Sequence, residues 1–599
     1  MLHSFHIPVM GLGFTLETPI KVARFGISSV MSIVEDQLVE AMRKYHTERL
    51  GLPFVPIHAQ ETDARARRIT AYLNLVHQIV AGQMQVLRNE PFEEGSEIVK
   101  YFELLPDESP VKQAYLQMLT LTGEAQKEAQ EALRASIQPG ALDVNIMAKV
   151  DKNNYARNGE MLPAEYSDAL SALRGFANST LSSSVVFSAG YNPRLYSYLD
   201  QHPDFYPDEN GNLKKRVILK VSDFRSALTQ GKILAKKGIW ISEYRIESGL
   251  NCGGHAFATD GLLLGPILEE FKAKKADMLP ELQSMCNKVL AEKQLPTFTN
   301  IPQTHVTVQG GIGTASEDRF LRTYYQVDGT GWGSPFLLVP EATTIDVPTL
   351  NALATAEKED FYISHASPLG VPFNNFRKTT SAQQIEARVE KGKPGSPCYK
   401  QFLVANTEFT DKPICTSSRQ YLHAKFKQLE SMDLPEDVLR AEKAKLTEKD
   451  CLCEGLGAGT LVRNGITPAY NLVASLVCPG PNLAYFSGIF SLREMVDHIY
   501  GRTQLLNTRE RANMFINELE LYVEYLQREL EASVNELNSK KIKYFNTFKK
   551  NLFNGIAYYR DTLAAKLPDS EELKDAFRTA LAQFEVKLEA ITIGEPVPA

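Results

Sequence analysis

Short apolar runs rich in β-branched residues alternate with helical stretches over the first half of the chain. This alternation is typical of a parallel α/β protein, in which helices connect neighbouring strands. Eight runs have the length and composition of strands: residues 6–11, 27–33, 142–147, 184–188, 216–221, 238–242, 304–309 and 327–339. Several are apolar throughout, as strands covered on both faces are, so the pattern predicts a closed (β/α)₈ TIM barrel rather than an open sheet.

A longer helical pattern separates the second and third predicted strands. The gap is too long for one crossover helix, and its apolar residues recur at helical spacing, at Ile69, Leu73, Val76, Val80 and Leu87. We therefore predict a helical insertion at about residues 60–140. The alternative is an ordinary barrel helix followed by a long loop.

The alternation ends after the eighth predicted strand, and a turn cluster, KGKPGSP at 391–397, indicates a surface linker. We divide the chain into a barrel (1–345), an additional cysteine-containing region packed on it (346–505) and a mostly helical C-terminal extension (506–599). In the extension, apolar residues are spaced by three and four, at Ile516, Leu519, Val523, Leu526, Leu530, Val534 and Leu537. This stripe suits a coiled-coil seam or packing on the chain's own body, and we favour the second.

Composition narrows the function classes. With 599 residues, of which 43% are hydrophobic, the chain exceeds what one core usually organises. The formal charge of -7, from 65 basic and 72 acidic residues, gives no basic face suited to nucleic acid. Neither a basic leader before the first apolar residues nor a membrane-length apolar run is present in the sequence, so we expect a cytoplasmic protein.

Glycine-rich turns end the last two predicted strands, within VQGGIGTASEDRFLRTYYQVDGTGWGSPF at 308–336. In a (β/α)₈ barrel the turns after strands seven and eight commonly bind phosphate, because glycine lets backbone N–H groups approach the ligand closely. The residues placed for this are Gly310, Gly311, Gly333 and Ser334. The alternative is that these glycines serve only the conformation of tight turns.

A second motif, ESGLNCGGHAFATDG at 247–261, follows the sixth predicted strand. It places His255, behind Gly253 and Gly254, at the C-terminal face where barrel enzymes carry their active sites. A histidine there is suited to act as a general base, or as a hydrogen-bond donor to a bound molecule. A purely structural histidine is the alternative.

The order GLNCGGH, QGGIGT and VDGTGWGSPFLLVPEA resembles the nitronate monooxygenase (2-nitropropane dioxygenase) family, whose relatives include flavin-dependent enoyl-acyl-carrier-protein reductases. That family has an AGGH motif after strand six, a GGI turn after strand seven and an ADGV..GTRF pattern at strand eight. The resemblance covers about residues 6–345. Cys252 replaces the usual alanine, and Ser334-Pro335 replaces Thr-Arg.

The resemblance implies an FMN site with His255 as the residue that transfers a proton. The implied cofactor-binding residues include the phosphate turns, the glycines before His255 and Gly11 of the PVMGLGF segment beneath the isoalloxazine ring: Gly11, Gly253, Gly254, Gly310, Gly311, Gly333 and Ser334. Lys149 and Lys220, at predicted strand ends, would face the pyrimidine edge of the flavin, unless they are solvated surface lysines.

The function expected from the resemblance is an FMN-dependent oxidoreductase acting on a small molecule, with electron transfer through flavin N5. One alternative is a flavin-dependent enoyl-thioester reductase of fatty-acid or polyketide metabolism, with an acyl carrier protein and an electron donor as partners. Another is a non-catalytic flavin- or ligand-binding scaffold that recruits a partner through its helical C-terminus. Assembly into a homo-oligomer is left open.

Four of the seven cysteines lie in one region: Cys398, Cys415, Cys451 and Cys453. Four thiolates can hold an iron–sulfur cluster or a zinc ion, which makes these cysteines candidate metal ligands. Their spacing matches no standard pattern, so we favour buried or free thiols. Cys478 opens a CPGPN turn and is interpreted as a packing residue. GLGAGT at 455–460 lacks the full G-x-G-x-x-G spacing and does not follow a strand, which argues against a dinucleotide site.

Overall fold

A closed barrel of eight parallel strands forms the centre of the molecule in a computed structural model that describes residues 2–146, 151–156, 158–188, 190–256, 260–533 and 537–594. Each strand pairs with the next, and the eighth closes on the first. The strands are β1 Phe5–Ile7, β2 Ser28–Ser32, β3 Leu142–Ile146, β4 Ser183–Phe187, β5 Lys215–Val221, β6 Ile241–Glu247, β7 His305–Gln309 and β8 Gly329–Gly331. The predicted (β/α)₈ barrel is confirmed.

β1 ends at Ile7 instead of continuing to residue 11, and β6 and β8 differ most from their predicted bounds. β6 runs from 241 to 247 rather than 238 to 242, because its second half alternates charged residues, which contact the barrel interior, with Tyr244 and Ile246. A segment with this many charged residues predicts a loop if the barrel interior is assumed to be apolar. β8 ends at Gly331, and the apolar run that follows forms a short 3₁₀ helix, Ser334–Leu338, instead of continuing the strand.

The helical insertion between β2 and β3 is also confirmed. It consists of α3 to α6, and the remaining helices up to β8 lie between successive strands. In chain order the helices are α1 Thr18–Val22, α2 Asp36–Arg49, α3 Ala64–Asn89, α4 Glu97–Leu104, α5 Pro110–Met118, α6 Gly123–Ser136, α7 Asp168–Ala177, α8 Pro193–Tyr198, α9 Phe224–Ala235, α10 Leu264–Glu292 and α11 Ala315–Thr323. The predicted apolar stripe of α3, from Ile69 to Leu87, is buried.

After β8 the chain covers the C-terminal end of the barrel. This part contains an antiparallel hairpin, β9 Phe361–Ser364 and β10 Phe373–Phe376, and the helices α12 Val347–Ala354, α13 Thr380–Glu390, α14 Arg419–Glu430, α15 Glu436–Thr447, α16 Leu452–Arg463 and α17 Leu492–Ile499. Backbone hydrogen bonds join it to the barrel loops: Gly13 N–H donates to Leu456 O (3.1 Å), and Gly254 N–H donates to Cys478 O (3.0 Å). GLGAGT lies inside α16.

Three helices complete the fold: α18 Met514–Ala532, α19 Ser539–Tyr558 and α20 Glu571–Ala590. Their apolar faces pack against one another and against α10, and the stripe residues from Ile516 to Leu530 are buried. Val534 lies outside the described residues. The predicted helical extension thus packs on the chain's own body. Across the ranges given above, no helix is long and apolar enough to cross a membrane.

The barrel interior contains a buried ion pair. Arg245 Nε donates to Glu243 Oε1 at 2.8 Å, Arg245 Nη2 lies 2.8 Å from the same oxygen, and Thr307 Oγ1 donates to it at 2.5 Å. Burial raises the pKa of Glu243, but the charge of Arg245 and the hydrogen bonds from Arg245 and Thr307 outweigh this effect, so the net pKa is lowered. Burial and the Arg245 charge lower the pKa of neighbouring His6 to about 3. At neutral pH the pair is therefore ionised and His6 is neutral.

We predict that Arg245→Met lowers the free energy of unfolding by about 3–5 kcal/mol, because Glu243 then keeps a buried charge without its partner. The double variant Glu243→Gln/Arg245→Met should recover much of that loss. Urea denaturation at pH 7 measures both. Arg578→Met, which breaks an exposed pair with Asp575, is the control and should change stability by less than about 0.5 kcal/mol. Equal midpoints for Arg245→Met and this control would contradict the prediction.

Candidate active site

A cavity of about 660 Å³ opens at the C-terminal ends of the barrel strands. Its volume lies within the range of about 300–1,000 Å³ that is usual for small-molecule sites. The lower wall comes from the segment after β1, including Met10 and Gly11, and from the ends of β2 to β6. The opposite wall comes from the region after β8 and is mainly apolar: Leu369, Val371, Phe373, Phe402, Leu403 and Leu456.

An ion pair lies at the base of this cavity. Lys220 Nζ, at the end of β5, is 2.8 Å from Glu247 Oε2, at the end of β6. The other oxygen of Glu247 accepts a hydrogen bond from Gln309 Nε2 at the end of β7 (2.8 Å). Both charged side chains line the cavity. Two adjacent strands thus present a fixed cation and carboxylate to the cavity, and the amide of the third strand holds the carboxylate in place.

His255 lines the same cavity and is held by the region after β8. Its Nε2 is 2.8 Å from Ser367 Oγ, and its ring packs edge-on against Phe373 at 5.3 Å between centroids. Its backbone oxygen accepts from Asn251 Nδ2 at 2.7 Å. The barrel therefore supplies this histidine, while the residues that orient it come from more than 100 positions later in the chain.

The two glycines before His255 have different roles. Gly254 has φ +77°, and no described heavy atom lies within 4 Å of where its Cβ would be, so the backbone faces open space beside the cavity. Gly253 has φ +120°, and a Cβ there would lie 2.1 Å from Cys478 O. Only glycine fits at position 253, because any side chain there would clash with the Cys478 carbonyl of the region after β8.

The predicted phosphate residues lie outside the cavity lining. The turns at Gly310–Gly311 and Gly333–Ser334 come together as expected, but both are buried under the segment that precedes His255. A Cβ at Gly310 would lie 2.5 Å from Leu250 O, and one at Gly333 would lie 2.5 Å from Cys252 Cβ. The Ser334 hydroxyl donates to Cys252 O at 3.0 Å.

The site predicted from the sequence is thus divided. One group lines the cavity: Gly11, Lys220, Gly253, Gly254 and His255. The other group is packed against the chain itself: Gly310, Gly311, Gly333 and Ser334. Lys149 lies outside the described residues. The sequence did not predict Ser367, Phe373 or the rest of the cavity wall from the region after β8, because no periodicity or motif connects those residues with the barrel.

The four clustered cysteines are free thiols. The hydrogen bond between the Cys398 and Cys415 thiols raises the pKa of Cys398 and lowers that of Cys415 to about 6. Cys415 Sγ is 3.2 Å from Ser417 Oγ, and Cys453 lines the cavity. In the part of the chain that the structure describes, no group of three or more His, Cys, Asp or Glu side chains is arranged to hold a metal ion. The predicted metal ligation is therefore not supported, since the thiols pair with each other and with serine.

Glu518 of α18 connects the C-terminal helices to the His255 loop. Its Oε1 accepts from Ser248 Oγ and Gly249 N–H, both at 2.9 Å, and its Oε2 accepts from Leu264 N–H at 2.8 Å. These partners are the two ends of the loop between β6 and α10. Burial raises the pKa of Glu518 in spite of the three hydrogen bonds. One buried carboxyl group thus fixes both ends of the loop that carries His255.

Comparisons with known proteins give only distant matches. No family model and no curated protein matches the chain. Among solved structures, FabK from Thermotoga maritima is 14% identical and matches with a TM-score of 0.29, over 68% of this chain and 85% of that one. The enoyl reductase domain of MlnA, from the macrolactin biosynthesis cluster of Bacillus amyloliquefaciens, matches at 12% identity and a TM-score of 0.32, over 75% and 88%.

The nitroalkane oxidase from Streptomyces ansochromogenes matches at 9% identity and a TM-score of 0.32, over 83% of this chain and 94% of that one. At such identities and TM-scores the likeness supports no conclusion about activity.

We predict that Glu518→Gln speeds amide hydrogen exchange at one end of the His255 loop and costs about 1–3 kcal/mol of stability. A glutamine offers one acceptor oxygen, so the N–H of Leu264 or the group at Ser248–Gly249 loses its partner. Hydrogen exchange read by mass spectrometry measures the effect. Glu520→Gln, on the same helix beside Lys358, is the matched control. Equal exchange in the two variants would show that Glu518 does not fix the loop.

Proposed function

We propose that this chain is a flavin-dependent oxidoreductase whose flavin ring occupies the 660 Å³ cavity. One observation carries the proposal: five residues predicted from motifs and from a strand end line a single cavity at the C-terminal end of a (β/α)₈ barrel. Four of them belong to motifs that carry the resemblance to the nitronate monooxygenase family, and Lys220 lies at the end of β5. Their meeting at one cavity supports the resemblance as a guide to function.

The cavity suits the ring system of a flavin, which is flat and mostly apolar with one polar edge. Met10 and Leu403 offer apolar surface on opposite walls, and the Lys220–Glu247 pair offers polar groups at the base. The open space at Gly254 leaves room beside the backbone. The cavity fits the ring of the flavin but not its phosphate, because the turns after β7 (Gly310–Gly311) and β8 (Gly333–Ser334) are packed against the chain itself.

A bound flavin would supply the two-electron chemistry, and the protein would supply orientation and charge. Lys220 would place a cation beside the polar edge of the ring and favour negative charge there. His255 Nε2, held 2.8 Å from Ser367 Oγ, would give a proton to the substrate or take one from it near neutral pH. The apolar wall at Phe402 and Leu403 would limit the access of water.

For the substrate, we propose nitronate oxidation as the first candidate, because the motifs follow the order seen in that family. The alternative is reduction of an enoyl thioester, for which the apolar wall would contact an acyl chain. An anaerobic screen separates the two. It asks which donors reduce the bound flavin, and whether a nitronate with oxygen or an enoyl thioester reoxidises it.

We predict that the full-length protein binds flavin, and that Lys220→Met/Glu247→Gln weakens binding roughly tenfold. The change removes a charge-assisted contact to the ring without leaving Glu247 unpaired. Flavin fluorescence during titration measures the dissociation constant. Lys232→Met on the outer face of α9, paired with Glu281, is the control and should bind flavin as the unmodified protein does. A colourless protein that takes up no added flavin would exclude the proposed function.

We also predict that His255→Ala keeps flavin binding but lowers turnover by about 10²-fold or more, because a positioned proton-transfer group is lost. Turnover is measured with whichever acceptor the screen identifies, and binding is measured separately. The control is His365→Ala at an exposed position near the β9–β10 hairpin, which should keep full activity. Unchanged turnover in His255→Ala would assign that histidine a structural role.

A further inference from the structure

The chain's own CPGPN turn, residues 478–482, lies beside the turns that follow β7 (Gly310–Gly311) and β8 (Gly333–Ser334), where the resemblance predicts a phosphate. Gly480 N–H donates to Ser334 Oγ at 2.7 Å, and Asn482 Nδ2 donates to Ile312 O at 2.8 Å. The Ser334 hydroxyl in turn donates to Cys252 O. The Ser334 hydroxyl, which was placed to bind an oxyanion, thus already has two partners inside the protein.

The packing leaves no gap for a phosphate group between these segments. A Cβ at Gly480 would lie 2.1 Å from Asn251 O, closer than real Cβ contacts allow. A Cβ at Gly310 or at Gly333 would lie 2.5 Å from an atom of the 250–252 segment. A phosphate group is larger than one methyl carbon, so it could enter only by displacing the 478–482 turn or the segment beneath it.

The protein also places a negative charge of its own at this position. Glu317 Oε2 accepts from Gly313 N–H at 2.9 Å, and Glu317 Oε1 accepts from Met514 N–H at 2.8 Å. The neighbouring cation, Arg511, pairs with Glu317 at 2.8 Å and donates to Gly311 O at 2.8 Å. The Glu317 carboxylate therefore binds both the Gly313 amide and the Arg511 guanidinium, the two groups that would otherwise attract an anion.

We propose that the 478–482 turn and Glu317 take the place of a cofactor phosphate, so that the cavity binds a flavin by its ring and does not distinguish FMN from riboflavin. This inference rests on the proposed function, since it concerns how the flavin is held. The glycine pattern is kept because the protein backbone, rather than a phosphate, makes the close approach. The polar tail of the flavin is directed away from the β7 and β8 turns.

The test compares riboflavin with FMN on the full-length protein, by titration followed through flavin fluorescence. We expect dissociation constants within about threefold of each other, unchanged by added inorganic phosphate. If the turns bound the phosphate through two charge-assisted hydrogen bonds, FMN would bind about 10²-fold more tightly or better. FMN binding more than about tenfold tighter than riboflavin binding, with inorganic phosphate competing, would overturn the inference.

Two variants locate the contact. Ser334→Ala should leave the ratio of the two dissociation constants unchanged, whereas the Lys220→Met/Glu247→Gln variant should weaken both flavins equally. A Ser334→Ala variant that loses affinity for FMN and keeps it for riboflavin would place the phosphate at the turns and overturn the inference. Thermal unfolding of each variant confirms that it is folded. If neither flavin binds the unmodified protein, the proposed function itself fails, and this result differs from any change in the ratio.

Discussion

Close contact between backbones at the C-terminal rim of the barrel is the constraint on which the rest of the structure depends. At Gly253 and Gly480 the chain passes so near a carbonyl oxygen, 2.1 Å from an imagined Cβ in both cases, that any side chain would force the segments apart. These contacts set the region after β8 directly on the barrel. The wall of the cavity, the partner of His255 and the burial of the β7 and β8 turns all follow from that placement.

The barrel was predictable from the sequence because β-branched runs and helical stretches alternate, and both signals are local. β6 was misplaced because Glu243, Arg245 and Glu247 face inward and pair there, which a rule of apolar interiors does not anticipate. The lower half of the candidate site could be predicted from motifs at strand ends. The upper half could not, since Ser367 and Phe373 reach His255 through tertiary packing alone.

A glycine motif shows that something approaches the backbone closely, but it does not show whether that is a ligand or another part of the chain. GGIG after β7 and GWGS after β8 read the same whether the atom approaching the backbone belongs to a ligand or to another loop. Here the approaching atoms belong to Leu250, Cys252 and Gly480. The motif order therefore supports the resemblance in fold and the position of the cavity. Which atom contacts each glycine is determined by the tertiary structure and could not be predicted from the motif.

The hydrogen bonds of Glu518 also bear on the order in which the protein becomes functional during synthesis. β8 ends at Gly331, so every strand of the barrel leaves the ribosome long before the carboxyl group that fixes the ends of the His255 loop. At translation rates of about 5–20 residues per second, this interval is on the order of tens of seconds. During this interval all eight strands are available to form the barrel, while the ends of the His255 loop still lack their hydrogen bonds to Glu518. Completion of α18 would then be the event that fixes the His255 loop, which ties the final geometry of the cavity to the last part of synthesis.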